Sequence, residues 1–224
     1  MRKTFTALML LAIVAVSAGC KKTEIDTKSD GIVSGHNYVD LGLPSGILWA
    51  SCNIGALVPE GYGNYYAWGE TTPQRNNAYN ENSYKFFDGN NYTKYNFTDG
   101  LTTLRSPDDA AAANWGNGWR MPTADDWDEL LYYCDVDWIE QNGTYGRLIT
   151  GPNNHSIFLP AAGCRLEGDL YYTDLFSLYW SSTLLDDDEE DAWYLYISET
   201  DCNVYYNHRY YGHPVRPVYV PTKK

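Results

Sequence analysis

The segment from Asp201 to His213 is rich in the residue types that bind ligands. Asp, Asn, Tyr and His make up nine of its thirteen residues. Tyrosine supplies rigid contact area, and Asn and His add adaptable hydrogen bonds, a mixture found in antibody paratopes. The predicted ligand contacts here are Asn203, Tyr205, Asn207, His208, Tyr210, Tyr211 and His213. Tyr171, Tyr172 and Asp174, which follow a turn at Gly168, are predicted to extend the same surface.

This segment is predicted to leave one strand and enter another before Val218, with Arg209 and Gly212 near the turn. Because side chains alternate along a strand, Val204 and Tyr206 are expected to point inward. The irregular stretch that follows is expected to be exposed as far as His213.

Acidic residues offer an alternative chemistry. Residues 186–191 are six acids in succession, a pattern typical of a solvated loop. A surface glycan hydrolase could use a pair of carboxylates between residues 167 and 201, provided that rigid strands held them at a fixed separation. Two carboxylates that converge in a deep pocket would favour this alternative, whereas a shallow aromatic face would favour binding.

Cysteine and histidine show no metal-binding or catalytic spacing. There is no C-x-x-C, and the four histidines lie at no zinc-ligand spacing from Cys52, Cys134, Cys164 and Cys202. Residues 88–99 lack the closing Glu of a calcium loop. No metal, cofactor or catalytic residue is therefore predicted, and the four cysteines can form disulfides or remain as buried thiols.

The elements that must position these residues indicate an α+β domain. Ser106-Pro107-Asp108-Asp109 and Thr123-Ala124-Asp125-Asp126 are helix-start patterns. Trp127, Leu130, Leu131 and Cys134 form one apolar helical face. The remainder favours strands, and the terminal strands are expected to pair. Candidate strands are residues 38–41, 47–50, 156–160, 178–182, 193–197, 203–206 and 215–220.

The N-terminus has the features of an export signal. Arg2 and Lys3 precede an apolar run too short to span a bilayer, and small residues then lead to Cys20. This pattern resembles the lipobox of bacterial lipoproteins, which implies a signal peptide over 1–19, lipidation of Cys20, a polar tether over 20–36 and a domain over 37–220. The implied location is the outer membrane, on either face. The formal net charge of -13 argues against nucleic acid as a partner.

Several phrases in order resemble one family. They include Tyr38-Val-Asp-Leu-Gly-Leu-Pro-Ser-Gly, Tyr65-Tyr-Ala-Trp-Gly-Glu70, Trp119-Arg-Met-Pro-Thr123, Ile157-Phe-Leu-Pro-Ala-Ala-Gly163, Tyr179-Trp-Ser-Ser-Thr183 and Val215-Arg-Pro-Val218. The chain is similar over residues 38–218 to the Fibrobacter succinogenes major paralogous domain of Bacteroides-type lipoproteins. The resemblance implies a C-type-lectin-like fold with two helices and irregular antiparallel sheets, and no enzymatic activity. Arg120, Arg165 and Arg216, in apolar settings, are interpreted as structural.

The C-terminal segment has a second resemblance. Codons for Asp, Asn, Tyr and His differ from one another only in the first base, so adenine-specific mutagenesis of Asn codons generates this set. The segment thus resembles proteins varied by diversity-generating retroelements, although an ordinary Tyr-rich hairpin would have the same composition. The predicted function is a lipid-anchored adhesin or receptor-like domain whose ligand is a protein, peptide or glycan.

Overall fold

The computed structural model describes residues 29–116 and 118–221. Cys20, the signal peptide and most of the predicted tether lie outside the described residues. The strands are β1 (Gly31–Val33), β2 (His36–Val39), β3 (Leu48–Ala50), β4 (Tyr65–Tyr66), β5 (Trp119–Arg120), β6 (Asp135–Gln141), β7 (Thr144–Thr150), β8 (Ser156–Pro160), β9 (Cys164–Leu166), β10 (Asp169–Tyr171), β11 (Phe176–Leu185), β12 (Asp188–Ser198), β13 (Cys202–His208), β14 (His213–Pro214) and β15 (Val218–Tyr219). The helices are α1 (Ala110–Trp115) and α2 (Ala124–Tyr133), with short 3-10 turns at Arg75–Asn77, Glu81–Ser83 and Ser106–Asp108.

The N-terminal and C-terminal strands lie in one sheet. The largest sheet has the order β1-β2-β3-β15-β5, so that Val218 pairs with Trp49 on one side and with Arg120 on the other. The predicted strand at residues 47–50 therefore pairs with the C-terminal strand, whereas the predicted strand at residues 38–41 pairs with β3 and not with β15. The structure also corrects the predicted tether, because residues 31–33 form β1 and pair with residues 36–38.

The C-terminal strand is shorter than predicted, and a fully buried arginine precedes it. Arg216 is fully buried, and its guanidinium donates to Asn53 Oδ1 at 2.9 Å and to the carbonyls of Ala50, Ser51 and Phe158. Only residues 218–219 of the predicted strand 215–220 join the largest sheet, and residues 215 and 217 accept hydrogen bonds from Ile54 and Ala50 outside a regular ladder. The structural interpretation of Arg216 is confirmed, since it holds together three separate segments.

Both helices have side-chain caps. The Thr123 hydroxyl accepts from the backbone of Asp126, whose carboxylate accepts in return from the backbone of Thr123. α1 differs from the prediction, because its cap is Asp109 and not Ser106. The Asp109 carboxylate accepts from the backbone N–H groups of Ala111 and Ala112, and residues 106–108 form a separate 3-10 turn.

Two hydrophobic clusters lie on opposite sides of the sheet β11-β12-β13. Trp127 and Leu130 of α2 pack with Tyr179, Leu195 and Ile197 in one of them. The other cluster is rich in aromatic residues and packs part of residues 62–104 over the opposite face of the sheet. The mixture of two helices and mostly antiparallel sheets confirms the α+β class.

The hairpin formed by β6 and β7 is absent from the predicted strands. Its register pairs Trp138 with Arg147 and Glu140 with Tyr145, and its turn contains Asn142 and Gly143, both at positive φ. Asn-Gly is the favoured sequence for a two-residue hairpin turn, so the sequence did carry the signal. The alternative left open for the cysteines is also resolved, since the four described cysteines are free thiols.

Candidate ligand-binding face

A run of neighbouring aromatic rings crosses one face of the sheet β11-β12-β13. Tyr205 of β13 lies 6.5 Å from Tyr194 and 6.1 Å from Tyr196, both on β12, measured between ring centroids. Phe176 of β11 lies 5.5 Å from Tyr196 and stacks on Tyr172 at 4.5 Å. We call this surface the aromatic face; its members are Tyr171, Tyr172, Phe176, Tyr194, Tyr196, Tyr205, His208, Tyr210 and Tyr211.

The aromatic face therefore brings together the two sequence segments that were predicted to share a surface. Tyr171 and Tyr172 reach it through Phe176 and Tyr196, and these last two residues were not predicted as contacts. At the opposite end, Tyr210 stacks on Tyr211 at 5.2 Å and on His208 at 5.3 Å.

Hydrogen bonds fix the central tyrosine. The Tyr205 hydroxyl donates to Asp201 Oδ2 at 2.9 Å, and the Asn203 amide donates to the other oxygen of the same carboxylate at 2.7 Å. The hydrogen bond to Asp201 raises the pKa of Tyr205, and burial raises the pKa of Tyr194 to about 12. Both phenols are neutral at pH 7, so they offer ligands hydroxyl groups and ring faces.

The loop before β11 holds its residues in unusual backbone conformations. Tyr172 and Asp174 have φ near +64° and +63°, in the left-handed region that costs a non-glycine residue on the order of 1 kcal/mol. A Cβ on Gly163 would clash with the carbonyl oxygen of Tyr171 at the end of β10, so glycine is needed where this segment passes residue 163. The Asp174 carboxylate accepts from the Tyr62 hydroxyl at 2.8 Å, which fixes its direction.

Arg209 anchors the end of β13. It is fully buried, and its guanidinium donates to the Tyr84 hydroxyl and to the carbonyls of Tyr95, Glu189 and Lys94 at 2.7–3.1 Å. Its charge lies 4.8 Å from the Tyr92 ring centroid and 4.9 Å from that of Trp68. Arg209 was expected near the turn, and it does follow β13 directly, but its burial was not predicted.

His213 is fully buried, so the prediction that it is an exposed contact is wrong. Its ring lies 4.0 Å from that of Trp180, and its Nε2 accepts from the Asn207 amide at 3.4 Å. Burial lowers its pKa well below 6.5, and its Nδ1 has no hydrogen-bond partner among the described residues. His213 instead supports the aromatic face from beneath, because Tyr194 and Tyr211 both pack against it.

Tyr206 and the acidic run also differ from expectation. Tyr206 is 54% exposed and not inward, and its ring packs edge-on against Trp193 at 5.7 Å. The acids do not form a loop of six residues: only residues 186–187 lie between the strands, and β12 begins at Asp188. Asp191 is buried, and its Oδ1 lies 2.9 Å from His208 Nδ1 without the geometry of a hydrogen bond.

The remaining predicted contacts are at least partly exposed. Tyr171, Tyr172, Asp174, Asn203 and Tyr205 are exposed, and Asn207, His208, Tyr210 and Tyr211 are half-buried. Tyr194 and Tyr196 were missed, although they alternate with Trp193, Leu195 and Ile197 along one strand. That alternation was a usable signal, because it places both tyrosines on the face opposite Leu195 and Ile197.

The charge around the aromatic face is negative. Between residues 106 and 221 the sequence has five arginines and no lysine. Arg147, Arg209 and Arg216 are buried, Arg120 pairs with Asp126, and Arg165 lies over the Tyr65 ring. By contrast, exposed carboxylates occur at Glu167, Asp169, Asp174, Asp186, Asp187, Glu190 and Glu199.

Catalytic alternatives find little support in the geometry. The described residues contain no group of three or more His, Cys, Asp or Glu side chains that could hold a metal ion. A cleft of about 610 Å³ lies beside α1, and the acidic residue in its described lining is Asp109. The Asp109 carboxylate already accepts hydrogen bonds from backbone N–H groups of Ala111 and Met121. Asp174 and Glu199 share a groove of about 330 Å³, but both are exposed and the groove is shallow.

No family model, curated protein or solved structure matches this chain. Within the described ranges, no helix has the length and apolar character needed to cross a membrane.

Proposed function

We propose that this protein is a ligand-binding domain of the cell envelope that captures its ligand on the aromatic face and performs no catalysis. The observation that carries the proposal is the set of neighbouring rings from Tyr172 through Phe176 and Tyr196 to Tyr205 and Tyr194. The buried ring of His213 connects Tyr194 to Tyr211 beyond the end of β13. Rigid aromatic side chains on a sheet lose little entropy on binding, and Asn203 and Asn207 add hydrogen-bonding groups beside them.

Electrostatics narrows the class of ligand. The surrounding carboxylates would repel a polyanion, so the ligand is a neutral or cationic protein, peptide or glycan. A glycan hydrolase is the less favoured candidate, because Asp174 and Glu199 lie in a shallow groove instead of a deep pocket.

The finer assignments belong to the same proposal. A C-type-lectin-like fold agrees with the two helices, the N-terminal and C-terminal strands in one sheet and the irregular sheets. Diversification by a retroelement is compatible with the exposure pattern, since eight of the nine Asp, Asn, Tyr and His residues between 201 and 213 are at least partly exposed and only His213 is buried. Lipidation of Cys20 would hold this surface at the outer membrane.

The anchor is tested separately by Cys20→Ala. This variant should leave the membrane fraction or remain unprocessed, whereas unchanged membrane partition would contradict lipidation at Cys20.

A selection experiment tests the binding proposal. A random peptide display library and a glycan array are screened against the full chain, and the binders are then assayed on Tyr172→Ser, Tyr196→Ser and Tyr205→Ser combined. The loss of one anchoring tyrosine costs on the order of 2 kcal/mol, so the triple variant should weaken binding more than about thirtyfold. The matched control is Tyr132→Ser with Tyr133→Ser, two exposed tyrosines on α2. Binders that respond equally to both variants would contradict the proposal.

A further inference from the structure

A groove separate from the aromatic face lies between the β6–β7 hairpin and two turns of the neighbouring sheet. Its volume is about 330 Å³, and it is lined by Trp138, Tyr145, Asp174, Leu175 and Glu199. We call it the hairpin groove. This volume is at the small end of the range for ligand pockets and is sufficient for one large side chain.

The walls of the groove are aromatic and aliphatic. Trp138 and Tyr145 lie diagonally across the two strands on the same face of the hairpin, with ring planes 9° apart and centroids 6.3 Å apart. Leu175 adds an apolar side chain that is 64% exposed. These surfaces would pack against the aliphatic stem of a bound side chain, and the rings would attract a cation.

The polar groups of the groove are carboxylates. One oxygen of Asp174 accepts from the Tyr62 hydroxyl, and the Glu199 carboxylate has no hydrogen-bond partner among the described residues. Glu140 lies directly opposite Tyr145 in the hairpin register and adds a third exposed carboxylate beside the groove. The nearest cation, Arg147, is buried against the Trp138 ring and donates to the carbonyls of Glu199 and Asp201. The groove therefore has a net negative charge.

The groove is also held in place before any ligand arrives. Arg147 joins the hairpin to the turn that carries Glu199, and Tyr62 fixes the loop that carries Asp174. Preorganised walls lower the ordering cost of binding. Because the lining offers aromatic rings and carboxylate acceptors, a cationic group complements it better than a neutral sugar does.

We infer that the hairpin groove binds a guanidinium or ammonium side chain, so that a protein or peptide partner places an arginine or a lysine there. The rings and Leu175 would cover the stem of that side chain, and Asp174 and Glu199 would accept hydrogen bonds from its head. This site goes beyond the aromatic face and does not depend on the function proposed for it.

The experiment measures the binding of a small cation directly. Arginine amide is titrated into the full chain, labelled with ¹⁵N, while the indole N–H resonance of Trp138 is followed; Trp138→Phe assigns that resonance. We expect a saturable shift with a dissociation constant on the order of 1 mM. Citrulline amide, which keeps the α-amino group and nearly the same shape but has a neutral urea in place of the guanidinium, should bind about tenfold more weakly.

Two exposed acids provide the variant and its control. Glu199→Gln should weaken the binding of arginine amide about fivefold, whereas Glu167→Gln, outside the groove, should leave the dissociation constant unchanged. Neither substitution removes a buried group, so both variants should fold. Equal binding of citrulline amide, or the absence of a saturable shift at about ten times the expected dissociation constant, would overturn the inference. A shift with methyl β-glucoside and none with arginine amide would overturn it in favour of a sugar site. These outcomes concern the hairpin groove and not the aromatic face. Serine substitutions at Tyr196 and Tyr205 should not alter the binding of arginine amide, so failure of one proposal can be distinguished from failure of the other.

Discussion

Replacing Arg209 with methionine should remove a large part of the folding free energy. Methionine approximates the length of the arginine stem but donates no hydrogen bonds. Three carbonyl oxygens and the Tyr84 hydroxyl would then lose the donors that now lie within 3.1 Å of them. A buried acceptor without a partner costs about 1–3 kcal/mol and a partly buried one less, so the two buried and two partly buried acceptors together predict a loss of about 4 kcal/mol. That is a large fraction of the 5–15 kcal/mol typical of a domain.

The assay is guanidinium chloride unfolding at pH 7.5, followed by far-UV circular dichroism. Arg75→Met is the matched control, because Arg75 is exposed and its loss should change the free energy of unfolding by less than about 0.5 kcal/mol. Arg209→Lys keeps the charge but cannot reproduce the planar fork of donors, so it should fall between the wild type and Arg209→Met. The reasoning is refuted if Arg209→Met unfolds at the same denaturant concentration as Arg75→Met.

Three further predictions follow from the described contacts. Thr123→Ala removes the reciprocal cap of α2 and should cost about 1 kcal/mol in the same assay, whereas Thr200→Ala, at an exposed turn, should cost little. Burial holds the pKa of His213 well below 6.5, so below pH 6.5 the unfolded chain binds a proton that the folded chain does not. The free energy of unfolding should therefore be highest above pH 6.5 and should fall by up to about 1.4 kcal/mol per pH unit below it. His213→Gln should reduce this slope. Burial raises the pKa of Cys134 to about 12 and those of Cys164 and Cys202 to about 11. Alkylation of these thiols by iodoacetamide at pH 8 should therefore be slow in the folded protein and rapid after unfolding. A fall in melting temperature on adding dithiothreitol would contradict the assignment of the cysteines as free thiols.

Local signals in the sequence were sufficient for several elements. β8 occupies Ser156–Pro160 as predicted, and α2 begins after Thr123 because its cap and apolar face are both encoded within twelve residues. The β6–β7 hairpin was missed although Asn142-Gly143 is a strong local turn signal. The Ser106 cap was wrong because two acids and a proline in succession allow either a 3-10 turn or an α-helix to begin there.

The residue types of the candidate site could be predicted from the sequence, but the burial of individual side chains could not. The alternation rule placed Asn203 and Tyr205 on an exposed face, because a strand fixes its side-chain directions locally. The burial of His213 and Arg209 depends on contacts with Trp180 and with residues 84–95, which are distant in sequence. No local pattern records such contacts, so a run of polar residues was interpreted as exposed throughout.

The most direct test of the central claim is the footprint of a captured ligand. Hydrogen–deuterium exchange of the full chain is measured with and without a peptide or oligosaccharide binder selected as described above. We predict added protection in residues 171–176, 194–196 and 203–211, with no change in α2 or in β1 and β2. Protection confined to α2 or to the sheet that contains β1 and β2 would contradict the assignment of the aromatic face as the binding surface.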